Sequence, residues 1–166
     1  MLELKTLTAA AIPRALERAE HYRLLNEPWA AESICLDIIA VEPAHQQALK
    51  VLLLARADQF AHDTGGAVQG AKDALAKLTS EYERVYYSGL ILERRAKARL
   101  DQRAPGAGFV AYEWLHEAMR WYEKAEALRP AANDDALLRW NTCARMLNER
   151  PEIQPRHEEH GHTIGE

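Results

Sequence analysis

Apolar residues along this chain return at intervals of three and four, the spacing that gathers them on one face of an α-helix. No segment alternates with the interval of two that a half-buried strand needs. Sparse prolines and glycines cut the pattern into helices. A first helix is predicted over about residues 13–25, with Pro13 tolerated in its opening turn. Asn26 is then placed to cap a second helix, with Pro28 in its first turn, that runs to about Val41 and is stopped by Pro43. A third covers about residues 44–61. His62-Asp63-Thr64-Gly65-Gly66 reads as a loop, and a fourth helix follows over about 67–78.

Ser80 and Glu83 form a capping-box pattern, so a fifth helix is expected to start there and to reach about Arg103. Pro105-Gly106-Ala107-Gly108 breaks it. A sixth extends over about 109–128 and ends before Pro130. A seventh starts after Asn133, where Asp134 and Asp135 suit the positive end of a helix, and finishes before Pro151. The fold class is all-α. Residues 151–166 differ, with two prolines, two glycines, three histidines and few apolar side chains. Such a tail is expected to bury too little surface to order itself. The expected organisation is a helical domain over 1–150 and a flexible His/Glu-rich tail over 151–166.

Two segments of the chain match each other. Ala31, Cys35, Ile38 and Pro43 share their spacing with Ala118, Tyr122, Ala125 and Pro130, and Ala48-Leu49 and Ala136-Leu137 follow the respective prolines. This resembles the second half of a tetratricopeptide (TPR) unit, in which a small residue, an aromatic, another small residue and a closing proline recur. Tyr22 and Ala19 fit the first helix of the first unit, and Gly89 fits the small position of a later one. On this pattern Ala118 allows close approach of the helices of one hairpin, and Tyr122 fills the gap between hairpins. The match is interrupted in the middle. Pro43 and Pro130 lie 87 positions apart, where two units of about 34 residues would span about 68. The fifth and sixth helices are extended, Ala71, Leu75 and Leu78 fit only after a longer loop, and Trp140 stands where a small residue is usual.

The resemblance covers about residues 12–148 and is to small TPR proteins of the bacterial type. It implies a right-handed α-solenoid of about three helical hairpins, closed by a C-terminal helix whose stripe of Ala136, Trp140, Cys143 and Leu147 packs on the last hairpin. It also implies a concave groove, lined by the first helices of the hairpins, that receives a peptide or helix of another protein.

Composition narrows the function classes. With 166 residues, 48% hydrophobic and 28% charged, the chain is long enough for one domain with a sizeable core. A net charge of −4 argues against a general nucleic-acid binder. Cys35 and Cys143 each sit in an apolar helical pattern and form neither a disulfide framework nor a zinc motif. No run approaches the ~18 apolar residues of a membrane span, and no signal peptide is evident at the N-terminus, so a cytoplasmic location is expected.

In the fifth helix, Glu83, Tyr86, Leu90, Arg94 and Lys97 share one face, while Val85, Gly89, Leu92 and Ala96 share the other. The second face is expected to be core and the first to line the partner groove, since tyrosine, leucine and arginine together are typical of interface anchors. Arg94, Arg95, Lys97, Arg99 and Arg103 imply an acidic partner segment or a solvated basic face. The TPR clamp for a C-terminal carboxylate is not recognisable: Lys50 fits one position, but Leu54 stands where asparagine should, and Asn141 and Arg145 fit loosely. His157, His160 and His162, interleaved with Glu158 and Glu159, are the candidate metal ligands. His21, His45, His62 and His116 are scattered, and no nucleophile motif, phosphate loop or HExxH occurs. The expected function is a non-catalytic protein-binding adaptor or scaffold without a cofactor. The alternatives are a metal-responsive protein acting through its tail, and a structural homo-oligomer using the groove face as its contact.

Overall fold

The computed structural model describes residues 1–62 and 65–157. After a 3-10 turn at Ala9–Ala11, these residues form seven helices and no strand: α1 (Ile12–Leu24), α2 (Pro28–Val41), α3 (Gln46–Ala57), α4 (Ala67–Ala76), α5 (Glu81–Asp101), α6 (Ala107–Leu128) and α7 (Asp135–Glu149).

Local chemistry sets most of the helix ends. Ser80 Oγ accepts from the Glu83 N–H at 3.2 Å, as a capping box requires. The Glu83 carboxylate does not return to Ser80, however, and takes the Lys50 ammonium at 2.7 Å instead. His45, not Ala44, opens α3, its Nδ1 accepting from the Ala48 N–H at 3.1 Å. That helix ends in turns at Ala57 rather than continuing to Ala61. The assignment of Asn26 as the cap of α2 is corrected. Asn26 adopts a left-handed φ of 60°. Its N–H reaches the Arg23 carbonyl at 3.0 Å, and the Glu27 N–H reaches that of Tyr22 at 2.9 Å. These are the two bonds of a Schellman motif, so Asn26 closes α1 and Glu27 takes the cap position of α2. Arg103, at φ 51°, similarly lies just beyond the end of α5.

Each helix packs on the next in chain order, most extensively α5 on α6, and α1 also meets α3, α3 meets α5 and α5 meets α7. By contrast, α4 and α6 barely meet. Both matched triplets of the sequence repeat, Ala31–Cys35–Ile38 and Ala118–Tyr122–Ala125, are fully buried. One apolar cluster joins α1 to α5 around Leu49, Leu52, Leu53 and Ile91, and a second joins α5 to α7 around Leu115, Tyr122 and Cys143. Helix α5 is therefore a shared wall, buried on two sides. The two thiols are free and buried, and burial pushes each up to about 12. At neutral pH they remain protonated packing groups.

The helical body does not end at Arg150. Ile153 is only 5% exposed and packs in the second cluster. The chain at Glu152 runs so close to the first turn of α6 that a Cβ on Gly108 would collide with the Glu152 carbonyl oxygen. At its first residues, then, the tail does bury surface: Gly108 lets the backbone at Glu152 come close to α6, and Ile153 packs into the second cluster.

Candidate functional site: two flanks of the central helix

The face of α5 expected to form the groove looks toward the other odd-numbered helices. Its charges are neutralised within the chain. Glu83 pairs with Lys50 of α3 at 2.7 Å, and Arg94 pairs at 3.1 Å with Asp58, which also takes Arg23 of α1 at 2.7 Å. Lys97 pairs with Glu93 at 2.6 Å. Leu90 is 4% exposed and belongs to the first cluster. Tyr86 is half-buried, its ring 5.0 Å from Tyr87, 5.8 Å from Tyr122 and 6.0 Å from Tyr82. Burial pushes the Tyr86 phenol above its ordinary range and the Tyr87 phenol up to about 12. On the face expected to be core, Gly89 and Ala96 are buried, and Val85 and Leu92 are half-buried against the second cluster.

Glu93 stands in a charged run that gives no sign of burial, yet it is fully buried, at 0% exposure. Its carboxylate accepts from Tyr122 Oη of α6 at 2.7 Å and Arg139 Nε of α7 at 3.0 Å, with a second Arg139 nitrogen on the other oxygen. Burial alone would raise its pKa. The bidentate Arg139 guanidinium, then Lys97 and Tyr122, outweigh that and hold the carboxyl below its ordinary value. The same geometry places Tyr122 inside the α5–α6 hairpin against Gly89, where the sequence had suggested a position between hairpins.

This arrangement sets a pH dependence. A carboxyl whose pKa is lower in the folded state contributes stability above its unfolded value of about 4.3, lost as pH falls through the folded value. The urea midpoint of Glu93→Gln should therefore lie below that of the unaltered chain at pH 7, and the gap should begin to narrow only as pH falls below the unfolded value of about 4.3.

The opposite flank of α5 is open. Between α4 and α6, which do not close over it, lies a cleft of about 450 Å³. Ile91, Leu92 and Arg95 of α5 floor it, Lys72 and Leu75 of α4 form one wall, and Trp114, Glu117 and Trp121 of α6 form the other. A second hollow of about 330 Å³ shares Arg95 and Trp114 and continues the cleft past Arg99 and Gln102 toward Phe60 and Val68. The Arg95 guanidinium lies 4.3 Å from the Trp114 ring centre, and Lys124 Nζ lies 4.7 Å from that of Trp121. Among the described residues, Lys72, Arg95, Arg99, Arg120 and Lys124 form no ion pair. On α5 the cations thus divide by side: Arg94 and Lys97 are paired on the odd-helix face, and Arg95 and Arg99 are unpaired beside the cleft.

The sequence carried a faint signal of this site. Trp114 and Trp121 stand seven apart on one face of α6, and Arg95 and Arg99 stand four apart on α5.

Among the described residues, no three His, Cys, Asp or Glu side chains come together as a metal site. His157 is exposed, while His160, His162 and the two glutamates between lie outside the described residues. His116 Nδ1 meets the Tyr112 carbonyl at 2.9 Å and is occupied locally. No described helix is long and apolar enough to cross a membrane. The chain matches no protein-family model, no curated protein and no solved structure at a significant level.

Proposed function

We propose that this chain is a non-catalytic binding module, a TPR-like stack of three helical hairpins and a closing helix that holds a peptide or helix of another protein. The order of packing supports the stack, since each helix meets its successor and the odd-numbered helices meet one another in turn. Burial of both matched triplets, Ala31–Cys35–Ile38 and Ala118–Tyr122–Ala125, supports the repeat. Catalysis would need a nucleophile, acid or base set in a pocket, and the perturbed groups here are structural: two packed thiols, packed tyrosines and the Glu93–Arg139 pair.

The observation that carries the binding reading is the uncovered flank of α5, with two tryptophans, an apolar floor and cations lacking internal partners. It favours the α4–α6 cleft over the face of Glu83, Tyr86, Leu90, Arg94 and Lys97, where the leucine is buried and the charges are matched. Trp and Arg at the centre of a partly desolvated surface are the residues whose truncation costs most at interfaces.

Affinity capture from native extract tests the reading with three chains: the unaltered protein, Trp114→Ala/Trp121→Ala and Tyr86→Ala/Arg94→Glu. Recovery of a partner should fall at least tenfold with the tryptophan pair and stay within about threefold with the other. A partner held equally by the tryptophan variant and lost with Tyr86→Ala/Arg94→Glu would move the site to the odd-helix face. Specific capture of none would count against a binding module.

A further inference from the structure

We infer that the α4–α6 cleft takes an acidic peptide segment anchored by one or two large apolar side chains, an inference that rests on the binding-module reading above. The charge balance points there. Among the described residues, Lys72, Arg95 and Arg99 line the two joined hollows, against the single carboxylate of Glu117. This local excess of positive charge sits on a chain whose net charge is −4. Arg95 makes no hydrogen bond to any described residue, so its guanidinium donors are free for a bidentate carboxylate contact. Stacking on Trp114 holds the side chain in place, which lowers the ordering cost of forming that contact.

The apolar half of the recognition lies between the two tryptophans. Leu75, Ile91 and Leu92 give the cleft a floor suited to a leucine or aromatic side chain. The α5 floor from Ser88 to Gln102 is about 21 Å long at the rise of an α-helix, enough for about fourteen residues of helical ligand. Single-stranded nucleic acid, the other anionic polymer that favours tryptophan, fits less well. It would stack bases on open ring faces, and here Arg95 and Lys124 each lie over one of the indoles.

Selection from a displayed library of random 15-residue peptides on the full chain tests this. The expected outcome is enrichment of peptides with more Asp and Glu than Lys and Arg and with at least one Leu, Phe or Trp. Their binding should weaken at least tenfold between 50 and 500 mM salt, and to the same degree in Arg95→Glu/Arg99→Glu. That charge-reversed chain should in turn enrich basic peptides. Arg99 is exposed and Arg95 half-buried on Trp114, and Arg95→Gln/Arg99→Gln, with retained helical circular dichroism, serves if the reversal perturbs folding. Enrichment of neutral or basic peptides that still need Trp114 and Trp121 would overturn the acidic inference and leave the binding module standing. Enrichment of nothing would overturn both. Trp114- and Trp121-dependent binding of a random 20-nucleotide single-stranded RNA, tighter than that of any selected peptide, would also overturn it.

Discussion

Replacing Arg139 with alanine should destabilise the chain by about 3 kcal/mol, because the change strands a carboxylate that water cannot reach. Glu93 has no exposed surface, and Arg139 supplies two of its hydrogen bonds. Lys97 at 2.6 Å and Tyr122 Oη at 2.7 Å remain, which keeps the loss toward the lower end of the range for broken buried pairs. For a domain of this size the expected fall in Tm is about 10 °C. Glu93→Gln should cost less, about 2 kcal/mol, since the amide keeps an acceptor for Tyr122 while losing the charge. The double variant Glu93→Gln/Arg139→Ala should be less destabilised than the sum of its parts by at least 1 kcal/mol, because neither partner is then left charged alone. Urea unfolding of the four chains measures this coupling. Simple additivity would mean that the two groups do not depend on each other.

Gly89 carries the second large effect. Alanine in the middle of an exposed helix normally gains about 0.5–1 kcal/mol over glycine. At Gly89 a Cβ would stand 2.9 Å from Tyr122 Cε1 and 3.1 Å from the Ala118 carbonyl oxygen. Neither neighbour can give way cheaply. The carbonyl is backbone of α6, and the ring is fully buried and tied to Glu93. Overpacking of this kind costs about 1–3 kcal/mol, so Gly89→Ala should be a net loss and Gly89→Val a loss of about 3 kcal/mol. Gly70→Ala is the control. Its Cβ would meet the Cδ of Arg56 at 2.9 Å, a side chain rather than backbone, though one held by Glu32 at 2.9 Å and by the Gly70 carbonyl at 2.7 Å, and the loss should be smaller than at Gly89. Equal losses at the two glycines would refute the close approach of α5 and α6 as the cause.

Sequence patterning located the helices to within a few residues because their ends are written in local chemistry: Pro28, Ser80, Gly106 and Pro130 act on their own neighbours. Asn26 reads differently in sequence and structure because an asparagine at the junction of two helices serves equally as a cap or as a left-handed residue. The choice was made by the Schellman bonds to Tyr22 and Arg23. Glu93 was illegible for a different reason. It stands in the charged run Glu93-Arg94-Arg95, and its burial depends on Tyr122 and Arg139, 29 and 46 positions away. The same run explains the division of the charges. Asp58 and Glu93 neutralise Arg94 and Lys97, and no acid among the described residues reaches Arg95 or Arg99, a distinction set by which helices pack beside α5. The Trp114–Trp121 cleft exists because α4 and α6 stay apart, a relation between elements that no spacing within either one encodes.

The four tryptophans make the most direct test of the binding site, since between them they report on three different surfaces. Trp114 and Trp121 line the cleft, Trp29 is exposed beside the α1–α2 turn, and Trp140 on α7 donates to Glu123 at 3.0 Å. Hydroxyl-radical oxidation of the chain, alone and with its captured partner, read residue by residue by mass spectrometry, should show Trp114 and Trp121 protected several-fold with Trp29 and Trp140 unchanged. Protection of Tyr86 and Trp140 with Trp114 and Trp121 unchanged would contradict the account and place the partner on the odd-helix face.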